Sequence, residues 1–97
     1  MEERAKTVAD LLKVLSNENR LMILCSLIKN PMTVSELQLM VPKISQSALS
    51  QHLNLLKAHG ILRSDKNGLN VTYSIVDDRV RETIEVLNKN YCDGELL

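Results

Sequence analysis

The chain has 97 residues with 12 basic and 12 acidic side chains, so it carries no net formal charge at pH 7. This length predicts one domain over residues 1–97, and zero net charge argues against a protein that binds nucleic acid without regard to sequence. Hydrophobic residues make up 44% of the chain, with two Tyr and no Phe or Trp, which predicts an aliphatic core and favours dimerisation. The sequence shows no signal peptide and no apolar run of membrane-spanning length, so a cytoplasmic protein is expected.

Two amphipathic helices are predicted at the start of the chain, over about residues 3–15 and 18–29. Asn30-Pro31 ends the second helix, because the residue before proline is pushed out of helical geometry. Cys25 lies on the apolar stripe of this second helix, so we expect its side chain to be buried. The apolar stripe of the first helix consists of Val8, Leu11, Leu12 and Leu15.

A helix-turn-helix is predicted over about residues 33–59. Thr33 caps a short helix, and Glu36 three residues later completes a capping box. The following helix begins after the N-cap Ser45 and ends at Gly60, which suits the left-handed position just past a helix end. Its inward stripe consists of Leu49, Leu53 and Leu56. A short helix, a tight turn and a second helix with a polar outer face are typical of DNA-binding proteins.

The outward face of this second helix carries amides and hydroxyls instead of charges. It consists of Gln46, Ser47, Ser50, Gln51 and Asn54. A solvated helix face normally carries Lys, Glu and Arg, whereas amides can read base edges and short hydroxyls can reach phosphates in a major groove. Taken alone, this face is equally consistent with an ordinary polar surface. The neighbouring elements favour the interpretation that it reads DNA.

A β-hairpin is predicted directly after the helix-turn-helix, over about residues 61–76, with Asn67-Gly68 at its turn. An ordinary solvated turn is the alternative, but the position favours a wing that reaches the DNA backbone or minor groove. Residues 42–70 hold four basic residues and one acidic residue, a local charge of +3 where phosphates would lie. The side chains predicted to add positioning contacts are His52, Lys57, Arg63, Lys66 and Asn67. His52 could instead pack against the first helix of the motif.

The last predicted helix covers about residues 77–91, and its apolar stripe consists of Val80, Ile84, Leu87 and Tyr91. Together with the helix at 3–15, it flanks the small winged core. We expect the stripes of these two helices to form the dimer interface across a two-fold axis. Such a dimer presents two recognition helices to a palindromic site.

The chain resembles the ArsR/SmtB family of bacterial repressors over about residues 8–91. The matching segments are Leu15 to Leu24, Thr33 to Leu37, Ser45 to Leu53 and Gly60 to Leu62. The resemblance implies a mainly α homodimer with the element order α-α-α-α-β-β-α, a winged helix-turn-helix fold, and operator binding that an inducer relieves. The sequence contains no nucleophile–base–acid set and no glycine-rich phosphate loop, so we do not expect an enzyme. A winged helix used only for protein contacts is a further alternative, against which the uncharged face and the local +3 charge argue.

Many members of this family bind a metal through a Cys-x-Cys pair on the third helix or through Asp and His on the last helix. The matching positions here, Met32 to Glu36, contain no cysteine, and the last helix contains no histidine. Carboxylates alone make a poor zinc site. We therefore expect no metal and no cofactor, and a metal-responsive repressor is the least favoured alternative.

The two cysteines, 67 residues apart, match a BigR/SqrR/YgaV-like subgroup of reactive-sulfur sensors. The resemblance implies that Cys25 and Cys92 react with persulfide or polysulfide, become bridged through sulfur atoms, and release DNA. A general thiol-oxidation sensor that uses the same pair is one alternative. From the spacing alone, the favoured interpretation is that neither cysteine senses anything, with Cys25 a small core residue and Cys92 an incidental thiol near the end of the chain. A plain disulfide needs Cα atoms within roughly 4.4–6.8 Å, and we expect the reduced pair to lie more than about 7 Å apart.

Overall fold

The computed structural model describes residues 1–92, with the side chain of Cys92 outside that description. The helices are α1 (Glu2–Leu15), α2 (Glu18–Leu27), α3 (Val34–Met40), α4 (Gln46–Ala58) and α5 (Asp78–Cys92), and the strands are β1 (Met32–Thr33), β2 (Leu62–Asn67) and β3 (Asn70–Ile75). This order confirms the predicted mainly helical winged helix-turn-helix. No helix within residues 1–92 is long and apolar enough to cross a membrane.

Side-chain caps fix where several helices begin. The carboxamide of Asn17 accepts from the backbone N–H groups of Asn19 and Arg20 at 2.9 and 3.1 Å, which starts α2. The predicted capping box of α3 is present, with reciprocal bonds of 2.9 and 3.2 Å between Thr33 and Glu36. Ser45 caps α4 as expected. These caps satisfy amides that would otherwise have no partner in the first helical turn.

The sheet differs from the prediction by one short strand. β1 pairs antiparallel with β3 through Met32 and Thr33, so the strand order is β1-β3-β2 instead of an isolated hairpin. Two residues are too few to show the alternation that identifies a strand in a sequence. The extra pairing joins the start of α3 to the wing, which holds the wing beside the helix-turn-helix.

The core lies between α2, the helix-turn-helix and the sheet. All three leucines of the predicted inward stripe of α4 are fully buried, together with Ile23 and Leu24 of α2. The tight turn between α3 and α4 contains no glycine. Instead, the Gln38 amide donates to the backbone carbonyls of Val41 and Ile44 at 3.3 and 2.9 Å. The orientation of α4 is therefore set by packing on one side and by this clamp at its beginning.

The predicted dimer stripes are only partly exposed, and this corrects the assignment. Leu15, Val80 and Ile84 are buried inside the chain itself, because the end of α1 and the inner face of α5 close the core. Leu11 is partly buried against the same core. The predicted residues that remain on the surface are Val8, Leu12, Leu87 and Tyr91, which are 53%, 55%, 36% and 79% exposed, and Val86 joins them at 56%. A stripe shows which residues are apolar, but it does not distinguish burial in the chain from burial against a partner.

Candidate nucleic-acid interface and sensor cavity

The outward face of α4 is as polar and accessible as the sequence predicted. The side chains of Gln46, Ser47, Ser50, Gln51 and Asn54 are all exposed. The leucines on the opposite side fix the rotation of the helix about its axis, so this face points away from the core. Helical residues at these spacings share one surface and can enter a groove together. The geometry is that of a recognition helix.

The wing is joined to α4 by a direct side-chain contact. The Lys57 Nζ donates to the Ser64 Oγ at 2.7 Å, which links the end of the recognition helix to β2. Lys66 and Asn67 are exposed near the hairpin turn, where Gly68 has a φ of 65°. The positive φ explains the glycine, since this conformation disfavours residues with a side chain. The hairpin therefore presents one cation, Lys66, and the amides of Asn67 and Asn70 at its tip.

Arg63 is less available for a phosphate than the sequence suggested. Its guanidinium donates to both carboxylate oxygens of Asp65, at 2.9 and 3.1 Å. The bonds and charge of Asp65 raise the pKa of Arg63 above its ordinary value. Because both side chains are exposed, the pair is worth little and a phosphate can compete for the guanidinium. Arg63 must therefore leave Asp65 before it can bind a phosphate, whereas Lys66 makes no ion pair within residues 1–92.

A groove of about 380 Å³ separates the wing from the starts of α3 and α4. It is lined by Thr33, Val34, Ser35, Gln46, Ser50, Leu69, Asn70, Val71 and Tyr73. The sequence analysis assigned two of these residues, Gln46 and Ser50, to the DNA interface and did not assign Ser35, Leu69 or Asn70 to it. Leu69 is fully exposed at the hairpin tip. Hydrophobic periodicity gives no signal for such residues, because they meet only through the β1-β3 pairing.

His52 lies in the middle of α4 and contacts Arg20, while its predicted contact with DNA stays a prediction. Its ring is half-buried, and its Nδ1 lies 3.3 Å from the Nη1 of Arg20 on α2. This contact is with α2, whereas the predicted alternative to a DNA contact was packing against the short helix α3. Burial lowers the pKa of His52, and the positive charge of Arg20 lowers it further. Both effects favour the neutral imidazole.

Cys25 is fully buried in α2, as its position on the apolar stripe predicted. A cavity of about 180 Å³ adjoins it between α2 and α5. The walls of this cavity are Leu21, Cys25, Ile84, Leu87 and Tyr91. Cys92 is the last residue of α5, directly after Tyr91, but its side chain lies outside the described part of the chain. The predicted separation of the two cysteines stays a prediction.

A buried polar side chain on α5 was not predicted from the sequence. Asn88 on α5 is only 5% exposed, and its Oδ1 accepts no hydrogen bond from residues 1–92. It precedes Cys92 by four residues and therefore lies on the same helical face. Apolar periodicity could not reveal it. Within the described residues there is no group of three or more His, Cys, Asp or Glu side chains that could hold a metal ion.

Comparisons with known proteins place this geometry in a family. Residues 17–64 match the family described as bacterial regulatory protein, arsR family. The transcriptional activator HlyU of Vibrio cholerae is 40% identical over 94 residues, which cover 97% of this chain and 86% of that protein. The biofilm growth-associated repressor of Xylella fastidiosa is 35% identical over 95 residues, which cover 98% of this chain and 82% of that protein.

The solved structures agree. Reduced HlyU from Vibrio cholerae N16961 has a TM-score of 0.89 at 40% identity, covering 95% of this chain and 96% of that one. The transcriptional repressor BigR from Xylella fastidiosa has a TM-score of 0.86 at 34% identity, covering 100% of this chain and 95% of that one. The family resemblance read from the sequence is confirmed, and these relatives are regulators and not enzymes. The chain belongs to the ArsR family of DNA-binding transcriptional regulators.

Proposed function

We propose that the chain is a repressor that binds a palindromic operator as a homodimer and releases it when Cys25 and Cys92 become bridged by sulfur. One observation carries the sensing part of this proposal. The buried Cys25 adjoins a cavity between α2 and α5 whose far wall is Tyr91, the residue before Cys92. A sulfur donor that enters this cavity reaches Cys25 on α2. The opposite side of the cavity is formed by the end of α5, the helix that carries Cys92.

DNA recognition is assigned to the outward face of α4 and to the wing. The exposed amides of Gln46 and Gln51 read base edges, and Ser47 and Ser50 reach bases or nearby phosphates. The positioning contacts come from Asn54, Lys57, Lys66 and Asn67, with Arg63 once its pair with Asp65 opens. In the dimer, bridging of Cys25 and Cys92 then changes the distance between the two DNA-binding surfaces, one from each chain, and this change releases the operator.

The homodimer rests on α1 and α5. Most of α1 is exposed, and Val8 and Leu12 place an apolar strip on its surface. A 14-residue helix with few contacts to the rest of its chain is marginal in water, so a partner that covers this strip stabilises it. The exposed residues of α5, Val86, Leu87 and Tyr91, extend the same proposed interface.

The chemistry balances with persulfide as both sulfur donor and oxidant. Two protein thiols and three persulfide molecules (RSSH) give a four-sulfur bridge, three thiols (RSH) and one H₂S. Two persulfides each transfer one sulfur atom, and the third accepts the two electrons that closing the bridge releases. The cavity of about 180 Å³ is comparable to an engineered apolar cavity of about 150 Å³ that binds benzene, so it has room for a short sulfur chain.

The test is the intact mass of the reduced protein after glutathione persulfide, hydrogen peroxide or diamide, with DNA binding measured in the same samples. We expect persulfide to add two or more sulfur atoms with loss of two hydrogens and to release DNA. The variants Cys25→Ser and Cys92→Ser should each remain bound. Release by all three reagents with loss of two hydrogens alone would identify a general thiol-oxidation sensor. Unchanged binding with every reagent would return both cysteines to packing roles.

A further inference from the structure

Arg20 makes contacts with three helices from the first turn of α2. Its backbone N–H donates to the Asn17 cap at 3.1 Å, and its side-chain Nε donates to the backbone carbonyl of Val14 at 2.5 Å. Its Nη1 lies 3.3 Å from the Nδ1 of His52. The side chain therefore joins the end of α1 to the middle of the recognition helix α4, while the backbone N–H of the same residue contacts the cap at the beginning of α2.

The contact with His52 requires a neutral imidazole. A guanidinium can only donate hydrogen bonds, so the Nδ1 of His52 must accept, and its proton must lie on Nε2. Protonation would leave two donors and two positive charges facing each other, and the contact would open. The charged side chain that acts on His52 within residues 1–92 is Arg20. α1 faces this pair with the neutral carbonyl of Val14.

The other elements packed on α4 carry five further charged groups. Lys66 of β2 and Glu18 of α2 are exposed, and neither is among the groups that shift the pKa of His52. Glu36 of α3 bonds Thr33, and Arg63 and Asp65 of β2 bond each other. The second histidine, His59 at the end of α4, has its Nδ1 2.9 Å from the carbonyl oxygen of Leu55 in its own helix. The Arg20–His52 contact is thus the polar link between α4 and the α1–α2 junction in the described residues.

We propose that Arg20 is a positioning residue that holds the recognition helix relative to α1 through neutral His52, so that protonation of His52 weakens operator binding. The inference rests on the proposed function, because α1 carries part of the proposed dimer surface and α4 reads the DNA. His52 directly follows Gln51 and precedes the buried Leu53, so a shift at this position moves the base-reading amides.

This proposal predicts the opposite sign from a direct phosphate contact. If His52 touched a phosphate, protonation would add a cation at the interface and strengthen binding as the pH falls. If His52 is instead held by Arg20, the same proton breaks the link and weakens binding. The direction of the pH dependence therefore separates the two roles.

The experiment measures fluorescence anisotropy on a duplex selected from a random pool with the unmodified protein at about pH 7.5. Titrations at constant ionic strength run from about pH 7.5 to about pH 5, because the pKa of His52 lies below the ordinary value of histidine. We expect the affinity to fall about 5-fold or more at the lower pH, the low end of typical coupling between sites. Circular dichroism confirms that each variant keeps its fold over this range.

Three variants complete the test. His52→Asn keeps an acceptor close to the Nδ1 position but does not titrate, so its affinity should stay the same across the pH range, whatever its value at pH 7.5. Arg20→Lys should bind more weakly at pH 7.5, because an ammonium lacks the guanidinium fork that reaches both partners. His59→Gln, the matched control, should retain the pH dependence of the unmodified chain.

Two results would overturn the proposal: affinity that rises as the pH falls, or a His52→Asn variant with the unmodified slope. No salt-dependent binding of the unmodified chain to any duplex at any pH would remove the proposed function itself, and this inference with it. Normal DNA binding with the wrong slope would remove this inference alone.

Discussion

Replacing Leu12 by alanine should dissociate the dimer without harming the fold of a single chain. Leu12 is 55% exposed on α1, so about half of its side chain is available for a partner. Fully burying a leucine contributes about 1.5–3 kcal/mol, so burying this half contributes about 1 kcal/mol. A two-fold interface buries two copies of Leu12, so the alanine variant loses about 2 kcal/mol in total. This loss raises the dimer dissociation constant about 30-fold. Alanine is a better helix former than leucine, so α1 itself is not weakened.

Sedimentation equilibrium over a range of protein concentrations measures this constant directly. The matched control is Asp10→Ala, because Asp10 lies on the opposite side of α1 and pairs only with the exposed Lys6. An exposed pair of this kind contributes little, so the control should dimerise like the unmodified chain. Equal weakening by both substitutions, or an unmodified chain that is monomeric, would refute the assignment of this face to a dimer.

Three further predictions concern reading, packing and capping. Gln51→Ala should relax base preference in a binding selection, whereas Lys66→Ala should weaken all duplexes about equally and lower the salt slope; equal losses on every sequence for both variants would contradict the assigned roles. Leu53→Ala, at a fully buried position of α4, should cost about 2–5 kcal/mol in urea unfolding, and a smaller cost would mean that the site collapses around the gap. The hydrogen bonds of the capping box with Thr33 hold the pKa of Glu36 below its ordinary value, so their stabilisation is present above the ordinary pKa of a glutamate and is lost as the pH falls through the lowered pKa. Glu36→Gln, which keeps an acceptor oxygen, should flatten that part of the pH profile of unfolding.

The sequence predicted the features that depend on neighbours within a few residues. The caps at Thr33 and Ser45, the buried leucines of α4 and the turn at Gly68 all follow from local spacing and backbone preference. The strand β1 was missed, because its pairing with β3 joins residues about 40 positions apart and leaves no local pattern. Arg20 was missed for the same reason, since its partner His52 is 32 residues away.

The apolar stripe of α5 shows why a correct pattern led to a partly wrong interface. Val80 and Ile84 fill the core of their own chain, and only the later part of the helix has apolar side chains left for a partner. Periodicity identifies which face of α5 is apolar. How deeply each residue on that face is buried depends on how much of the length of α5 is covered by α2. The boundary between core and proposed interface therefore required the packing of the whole chain.

The later part of α5 links the two halves of the proposed function. Leu87 and Tyr91 line the cavity beside Cys25, and both are also exposed on the surface assigned to the dimer. A sulfur bridge that draws Cys25 toward the end of α5 would press on the same side chains that the partner contacts. Because packed side chains transmit displacement with little compression, a change inside the cavity alters the interface directly. Under the proposed function, release of DNA would then need no long path, because the proposed dimer interface would set the spacing of the two recognition helices.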